Sequence, residues 1–312
     1  MHDATVFKGN AVSPSRRALP PANASASRLL VNTGEDTFLQ GLGLPQVERL
    51  SGLSPREFDE RFFRPRVPVV LADAMESWPA RTKWTLDYLK EKYGGDEVLA
   101  TNRYYRGRRM SLAEYVDYVD TVPWELMAGL PREQLLYLRD WVFDDLHPEL
   151  RDDFSTPPHF ASDWIARGLG RFIGQKFCWI YIGPQGAVTP WHQDLMGTHA
   201  WLSQLVGRKE WLLTPPDREP QPLAAAIEGG DGETVLAEAA RLQARHIVVV
   251  PGDIIFVPAH WWHTVTSLES TLSITVNYAN ASNIRSFAGH WWRLGLRRLK
   301  ARITLSALPQ AK

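Results

Sequence analysis

Two apolar, strand-like segments that each carry histidine constrain the fold of this chain most strongly. The first, VTPWHQDLMGTHAWLSQLVGRKEWLLTPP, holds His192 and Asp194 two positions apart. Since side chains two apart on a strand point to the same face, we expect these two to face one way and Gln193 the other. The second segment, PGDIIFVPAHWWHTV, places His263 after a Pro-Gly-Asp turn signal and an apolar run. A neighbouring strand of the same barrel or sheet would therefore supply the third side chain.

The three side chains form a set with a known metal chemistry. Two imidazoles and one carboxylate on β-structure leave other metal positions open, which is typical of non-haem Fe(II) oxygenases. A single His-x-acid tripeptide carries little information, and the chain has a second one, His147-Pro148-Glu149. That one is predicted to lie in a solvated loop, because proline cannot pair inside a sheet and the neighbouring residues are charged. Apolar runs on both sides of His192 favour the metal site there.

Three longer motifs occur in one order along the chain. They are SPREFDERFFRPRVPVVLADAMESWPARTKWTLDYLKEKYGGDEV, TPWHQDLMGTHAWLSQLVGRKEWLLTPP and PGDIIFVPAHWWHTVTSLESTLSITVNYAN. Together they resemble the JmjC-type, cupin-like 2-oxoglutarate dioxygenases, and within them the protein hydroxylase branch, over roughly residues 50–281. The resemblance implies a mainly β fold with α-helices (α+β), built on a double-stranded β-helix, the jelly-roll or cupin-like core. It also implies flanking N-terminal helices, a helical insertion and a C-terminal helix.

The resemblance also implies roles for individual residues. His192, Asp194 and His263 match the ligands of Fe(II), and Lys209 matches the lysine that pairs with the distal carboxylate of 2-oxoglutarate. A buried ammonium facing a carboxylate makes a strong charge-assisted hydrogen bond. Thr189 matches a hydroxyl donor to the same carboxylate.

Further contacts to the cosubstrate are implied around these residues. Tyr137 lies where the family places a phenol over the cosubstrate, and Thr275 and Asn277 alternate on the last strand, so they share a face with Ser273. The residues alone leave ordinary alternatives open. Lys209 could belong to a surface charge cluster, and the tyrosine and threonines favour strands in any case.

One departure from the family pattern concerns the near end of the cosubstrate. Related enzymes often carry an asparagine near the positions of Thr198 or Leu202, and this chain has THAWL there. We expect Thr198, His199 or Asn277 to contact that end instead. His260 is expected to be structural because it lies at a turn, whereas His199 could line the pocket or fill one end of the barrel.

Composition limits the class of protein. With 312 residues, 44% of them hydrophobic, the chain can bury a large core. Zero formal net charge gives no overall field that would favour nucleic acid. No apolar run is long enough for a membrane span, and no secretory signal is visible. A single cysteine, Cys178, excludes an internal disulfide and suits a cytoplasmic location.

The chain is predicted to have four parts. They are a flexible leader at 1–45, an α/β flanking region at 46–135, the catalytic core at 136–281 with an insertion at about 217–243, and a C-terminal helix at 282–312. Within the flanking region, a helix is predicted from Ser111 to Val119 with Ser111 as its N-cap.

The C-terminal helix suggests two possible contacts. Its basic residues would suit an RNA or membrane surface, although a solvated helix face is the simpler interpretation; they are Arg293, Arg297, Arg298, Lys300 and Arg302. The adjacent Trp291 and Trp292 would suit a homodimer interface, as C-terminal helices provide in related proteins.

The sequence therefore predicts an oxygenase that uses Fe(II), 2-oxoglutarate and O2 to hydroxylate a C–H bond. By resemblance, the substrate is a protein or peptide side chain, and the products include succinate and CO2. Demethylation at an N-methyl group is a variant of the same chemistry. The alternatives are the same chemistry on a small molecule or tRNA base, and a catalytically silent cupin-like binding module.

Overall fold

The fold is seen in a computed structural model that describes residues 37–127, 129–169 and 177–293. Most of the regular structure is β-strand. The strands are β1 (Glu48–Leu50), β2 (Val69–Leu71), β3 (Glu97–Thr101), β4 (Gly107–Ser111), β5 (Leu138–Trp141), β6 (Cys178–Gly183), β7 (Val188–His192), β8 (His199–Val206), β9 (Lys209–Thr214), β10 (Arg245–Val249), β11 (Ile254–Val257), β12 (Trp262–Ser267) and β13 (Thr271–Tyr278).

Helices lie mainly before the sheets and in one insertion. They are α1 (Phe38–Gly41), α2 (Pro55–Phe58), α3 (Ala80–Lys83), α4 (Leu86–Tyr93), α5 (Leu112–Met127), α6 (Gln221–Gly229) and α7 (Gly232–Arg241). A π-helical turn, Asp59–Phe63, continues α2. Short 3₁₀ turns and a further π turn join the other elements, and residues 284–293 are helical.

Two sheets face each other across the core. The larger has the order β1-β2-β11-β8-β13-β6-β5, and the smaller has the order β10-β9-β12-β7. Adjacent strands are antiparallel except β1 and β2, which are parallel. A separate hairpin consists of β3 and β4. This architecture, with its flanking helices, confirms the predicted jelly-roll, α+β fold class.

Alternation along each strand divides apolar residues between the two faces of a sheet. On β8, Ala200 and Leu202 belong to the cluster between the sheets, whereas Trp201 and Leu205 belong to the cluster outside the larger sheet. Such a division follows from the period of two in a strand, and it fixes the register because a shift by one residue would exchange the faces. Inward positions can thus be identified for every strand of the core.

An aromatic layer joins the N-terminal helices to the outer face of the larger sheet. Its centre is Phe160, which is 1% exposed. The Phe160 ring stacks on Trp201 at 5.7 Å between centroids and meets the ring edge of Phe58 from α2 at 5.4 Å. Phe256 and Tyr278 lie about as close, at 6.0 and 5.9 Å. Dense aromatic packing of this kind adds geometric preference to the burial of apolar area.

The predicted insertion forms two helices, α6 and α7, which cover the outer face of the smaller sheet. Leu223 and Val235 of these helices are fully buried with Leu212 of β9, and Trp191 of β7 packs against the same cluster. The helical insertion is confirmed. It lies against the face of the sheet that points away from the interior.

The helix predicted from Ser111 begins as expected but continues further. Ser111 and Glu114 form a reciprocal cap, since the Ser111 hydroxyl accepts from the Glu114 amide and the Glu114 carboxylate accepts from the Ser111 amide. The prediction that this helix ends at Val119 is wrong, because α5 runs to Met127. Buried Val122 extends the apolar face by a further turn.

The charged stretch around His147 is less solvated than the sequence indicates. Residues Pro148–Asp153 form a 3₁₀ turn rather than an open loop, and the His147 ring is 2.7 Å from Asp96. Asp153 is 5% exposed and accepts hydrogen bonds from Lys83 and from the indole of Trp84, at 3.0 and 2.8 Å. Partners distant in sequence therefore bury a carboxylate that its neighbours would place in solvent.

Parts of the predicted leader and C-terminal helix lie outside the described residues. These parts are residues 1–36 and 294–312, which include four of the five basic residues of the C-terminal segment. Within residues 37–127, 129–169 and 177–293, no helix is long and apolar enough to cross a membrane.

We expect Phe160→Ala to lower the free energy of unfolding by about 3–5 kcal/mol, because it removes the ring at the centre of the aromatic layer. Leu146→Ala, at a side chain that is 64% exposed, is the control and should change it by less than about 0.5 kcal/mol. Urea unfolding measures both. Equal losses in the two variants would contradict the central position of Phe160.

Candidate metal and cosubstrate site

The two histidines of the predicted site lie side by side on paired strands. His192, at the end of β7, is directly opposite His263 on β12, and their ring centroids are 4.1 Å apart. Asp194 follows the end of β7 in extended conformation and precedes the 3₁₀ turn Leu195–Gly197. One nitrogen from each ring and one carboxylate oxygen all lie within 4.8 Å of one another. The structure thus brings all three predicted ligands together.

Both imidazoles are held in the tautomer that a metal requires. Nδ1 of His192 lies 2.8 Å from the carbonyl oxygen of Pro190, and Nδ1 of His263 lies 3.1 Å from that of Trp261. A carbonyl can only accept, so each Nδ1 carries the proton and each Nε2 keeps its lone pair. Burial lowers the pKa of both histidines to about 4. Both rings are consequently neutral near pH 7.

The Asp194 carboxylate has the features expected of a metal ligand. Burial raises its pKa, while a hydrogen bond from Asn277 opposes that shift. Its Oδ2 is buried and has no hydrogen-bond partner among the described residues. A buried carboxylate oxygen lowers the stability of the fold unless a hydrogen-bond donor or a metal ion binds it. The neutral nitrogens and this oxygen together fit an Fe(II)-type divalent metal.

The turn that follows the carboxylate is held in an unusual conformation. Met196 and Gly197 have φ values of 59° and 64°, in the left-handed region. A side chain at Gly197 would collide with Ser286 and the His260 ring, so glycine is required there. Asn283 donates to the Gly197 carbonyl at 3.1 Å. The segment after β13 therefore fixes the turn beside the metal ligands.

A β-bulge brings Thr189 to the face of the ligands. His263 pairs with His192, but the next inward residue of β12, Val265, pairs with Thr189. Two steps on β12 are thus matched by three on β7, with the extra residue next to Pro190. Residues three apart on a regular strand face opposite ways. The bulge removes that conflict and turns Thr189 inward.

Lys209 is a fully buried cation without a carboxylate partner. It is 0% exposed, and its Nζ donates to the Tyr137 hydroxyl at 3.0 Å and the Ser273 hydroxyl at 2.8 Å. Ser273 in turn donates to Gln204 at 2.9 Å. Among the described residues, no carboxylate lies within 4.0 Å of this ammonium. The surface-cluster alternative for Lys209 is therefore wrong, and one of its three protons remains available for a ligand.

The inward residues of β13 continue the polar strip. Thr275 pairs with Leu202 and Asn277 with Ala200, and both of these partners belong to the cluster between the sheets. The Thr275 hydroxyl is buried and lacks a partner among the described residues. The Asn277 amide donates to the Thr198 hydroxyl at 2.8 Å. Related enzymes often have an asparagine near Thr198 or Leu202. In this chain, the Thr198 hydroxyl and the Asn277 amide lie in that region instead.

The neighbouring histidines His199 and His260 are structural in this fold. His199 points to the outer aromatic layer, where its Nδ1 accepts from the Ala259 amide at 3.0 Å. Burial lowers its pKa to about 3, so it is neutral. It does not line the interior. His260 has φ 68° and its Nε2 lies 3.0 Å from the Ser286 hydroxyl, in agreement with a structural role.

Several residues of the interior were not assigned from the sequence. Trp211 stacks on the His263 ring at 5.7 Å between centroids, and its indole nitrogen is buried without a partner among the described residues. Tyr181 faces Tyr137 at 6.1 Å, and Gln204 orients Ser273. The period of two from Lys209 would have found Trp211, and a glutamine inside an apolar strand would have marked Gln204.

Comparison with protein families identifies the domain. Residues 55–222 and 227–283 match the family described as "Cupin-like domain". The chain belongs to this family. The short gap in the match falls within α6, and the predicted JmjC-type, cupin-like resemblance is confirmed.

Curated relatives of this cupin-like chain are named as demethylases, a hydroxylase or an iron-dependent oxygenase. It is 31% identical over 266 residues to "Lysine-specific demethylase JMJ21" of Arabidopsis thaliana, covering 81% of this chain and 27% of the relative. It is 26% identical over 274 residues to "2-oxoglutarate and iron-dependent oxygenase JMJD4" of Gallus gallus, covering 81% and 64%. It is 29% identical over 266 residues to "Bifunctional arginine demethylase and lysyl-hydroxylase psr-1" of Caenorhabditis elegans, covering 76% and 62%. The chain thus spans less than two thirds of the length of each.

We expect His192→Ala to weaken binding of Fe(II), or of Co(II) as an air-stable probe, by more than about a hundredfold. Loss of a partner that merely orients a ligand already costs about 10- to 100-fold. Isothermal titration under argon measures the affinity. His147→Ala is the matched control, since His147 is bound to Asp96, and should bind as wild type does. Undiminished affinity in His192→Ala would place the ion elsewhere.

Proposed function

We propose that this chain is an Fe(II)- and 2-oxoglutarate-dependent oxygenase that hydroxylates a C–H bond of a protein or peptide side chain. The observation that carries the proposal is the buried Lys209 ammonium, which shares the interior with His192, Asp194 and His263. Among the described residues, its hydrogen-bond partners are the hydroxyls of Tyr137 and Ser273. A metal site alone would suit many proteins. A metal site with an uncompensated cation nearby suits a chelating, dianionic cosubstrate.

The energetic argument begins from the cost of burying charge. An isolated ammonium in an apolar interior is strongly unfavourable, and neutral hydroxyls compensate it only partly. A carboxylate that enters this space would complete the ion pair through a short, charge-assisted hydrogen bond. We assign the distal carboxylate of 2-oxoglutarate to Lys209, with the hydroxyls of Thr189 and Tyr137 as its further partners.

The metal end of the pocket has its own set of residues. His192, Asp194 and His263 would hold Fe(II), which with 2-oxoglutarate and O2 supplies the oxidising power to insert one oxygen atom into a C–H bond, leaving succinate and CO2. Asn277 orients the carboxylate through its amide and keeps Thr198 in place. Thr275 offers a free hydroxyl towards the interior. These side chains bind and orient the cosubstrate.

The walls of the interior exclude water from the reacting atoms. Trp211, Val265 and Leu213 surround the inner ends of the ligands on the smaller sheet, and all three are buried. A dry site strengthens each polar contact and protects the oxidant from side reactions. The face that a substrate must use is therefore the open side near Asp194, where Leu195 is 66% exposed.

The relatives support a polypeptide substrate. The names of two of them include demethylase activity on arginine or lysine, and one of these also names lysyl hydroxylation. Because hydroxylation of an N-methyl carbon releases the methyl group as formaldehyde, both outcomes need the same site. We propose simple hydroxylation as the reaction. A small molecule or tRNA base as substrate is the enzymatic alternative.

A catalytically silent cupin-like binding module is the alternative from another class. A module of that kind has no need for three metal ligands together with an unpaired buried cation. We further propose a cytoplasmic location, on the basis of the single cysteine, and a homodimer formed through the C-terminal helix. Trp292, which is 65% exposed in residues 284–293, is consistent with such an interface.

We expect Lys209→Met to lower the affinity for 2-oxoglutarate by about 10- to 100-fold, the effect of losing a hydrogen bond to a charged group. The free energy of unfolding should stay equal or rise, because an uncompensated buried charge is removed. Quenching of tryptophan fluorescence and urea unfolding measure the two quantities. Lys90→Met, at an exposed lysine paired with Asp117, is the control. A less stable variant with normal cosubstrate affinity would make Lys209 purely structural.

Anaerobic addition of Fe(II) and 2-oxoglutarate to the full chain should produce a weak visible charge-transfer band. In air, the same mixture should release succinate, and proteins from cells with the wild-type chain should gain the mass of one oxygen atom at a specific residue. Asp194→Ala should abolish all three. Absence of both the band and succinate would indicate the silent module, while loss of methyl groups with formaldehyde release would indicate demethylation.

A further inference from the structure

The hairpin of β3 and β4 concentrates positive charge in a chain whose formal net charge is zero. Residues 98–113 contain four arginines and no acidic residue. All four arginines are exposed; they are Arg103, Arg106, Arg108 and Arg109.

Two of these four arginines form no salt bridge among the described residues. Arg109 is 2.6 Å from Glu97 on the neighbouring strand, and Arg103 makes a longer contact of 3.4 Å with Glu133. The other two guanidinium groups have no carboxylate within 4.0 Å in the part of the chain that the structure describes. The hairpin therefore presents two exposed guanidinium groups without a salt bridge, which an acidic partner could neutralise.

The tip of the hairpin is held in a fixed shape. The Asn102 side chain accepts from the amides of Tyr104 and Arg106 at 3.0 and 3.1 Å. Tyr105 has φ 58°, a left-handed conformation that is uncommon for a bulky residue and is often found at functional sites. The two tyrosines are 62% and 66% exposed. A preformed tip loses little conformational entropy when a partner binds.

The hairpin is attached directly to the strand that carries the cosubstrate phenol. Thr101 and Tyr137 exchange both backbone hydrogen bonds, at 3.1 and 2.9 Å. The Arg139 guanidinium lies between two rings, 5.0 Å from the centroid of Tyr105 and 5.4 Å from that of Tyr137. On its far side, Tyr137 contacts Lys209. The exposed tip and the buried cation thus lie at two ends of one stack of alternating cations and aromatic rings.

A small, largely enclosed cavity with room for about one water molecule lies between the hairpin and the site. It is lined by Arg103, Arg132, Leu135, Tyr137 and Val188. Nη1 of Arg132 is buried and has no hydrogen-bond partner among the described residues. A buried guanidinium donor of this kind would be satisfied by a carboxylate, which accepts two parallel hydrogen bonds from arginine.

We infer that the β3–β4 hairpin, with Arg132 beside it, binds an acidic segment of the polypeptide substrate. This inference rests on the proposed function. The carboxylates of this segment neutralise Arg106 and Arg108, and one of them pairs with the Arg132 guanidinium from outside the cavity. The substrate is thereby selected by negative charge.

Single-stranded RNA fits the same surface less well. Bases would need free aromatic faces for stacking. Instead, Arg139 already covers one face of Tyr105, and Arg103 covers one face of Tyr104 at 5.6 Å. The neutral chain also lacks the extended basic field of most nucleic-acid-binding proteins. The exposed guanidinium groups of the hairpin favour carboxylates.

The test measures binding of short fluorescent probes to the full chain by anisotropy. The probes are a peptide of alternating glutamate and serine, its glutamine–serine and lysine–serine counterparts, and an oligouridylate of equal length. The variants are the double substitution R106Q/R108Q and the single substitution R132Q. The double substitution R56Q/R61Q removes the same charge from exposed arginines of α2 and the π turn that follows and serves as the control.

The glutamate peptide should bind wild type in preference to the other probes, and more weakly as salt increases. R106Q/R108Q and R132Q should each weaken it about tenfold, while R56Q/R61Q should not change it. An equal loss in the control, or tighter binding of oligouridylate that the same substitutions remove, would overturn the inference. If the chain shows the charge-transfer band and releases succinate but does not bind the acidic peptide, the inference is wrong and the proposed function stands. Peptide binding without either signal refutes only the proposed function.

Discussion

A positive charge sealed between two β-sheets is the constraint on which the rest of the structure depends. The Lys209 ammonium costs free energy in this position, so the surrounding side chains must orient dipoles towards it without neutralising it. The Ser273–Gln204 hydrogen bond and the Tyr137 hydroxyl do this. This arrangement is a preorganised binding site for an anion. Rigid walls are needed to keep it from collapsing or admitting water.

The outward face of each sheet contributes mainly to stability, and the inward face carries the residues of the site. Outward residues of the larger sheet pack into the aromatic layer around Phe160, and those of the smaller sheet pack under α6 and α7. These layers contribute most of the apolar burial. Inward residues can then remain polar and incompletely satisfied, as the carboxylate of Asp194 and the hydroxyl of Thr275 are. Polar groups that a bound ligand can satisfy are thus placed in the interior.

The family resemblance predicted the fold class, and local pattern predicted the centre of the site. The period of two predicted that His192 and Asp194 face the same way, and this holds although Asp194 lies past the end of β7, because its backbone stays extended. Features that depend on distant partners could not be predicted. Asp153 lies among charged neighbours, yet Lys83 and Trp84 bury it. The network around Lys209 likewise joins strands that are far apart in sequence.

The bulge in β7 has a consequence for how this site can vary. Thr189 and His192 share the inner face only because two residues lie between them on β7, whereas a single residue lies between their partners on β12. Side chains at Pro190 and Trp191 could change while the pairing survives, but deleting either position would rotate the threonine or the histidine out of the interior. Natural relatives that keep this chemistry should consequently tolerate replacement at these two positions and preserve their number, so that chain length here is a more faithful marker of an intact pocket than residue identity.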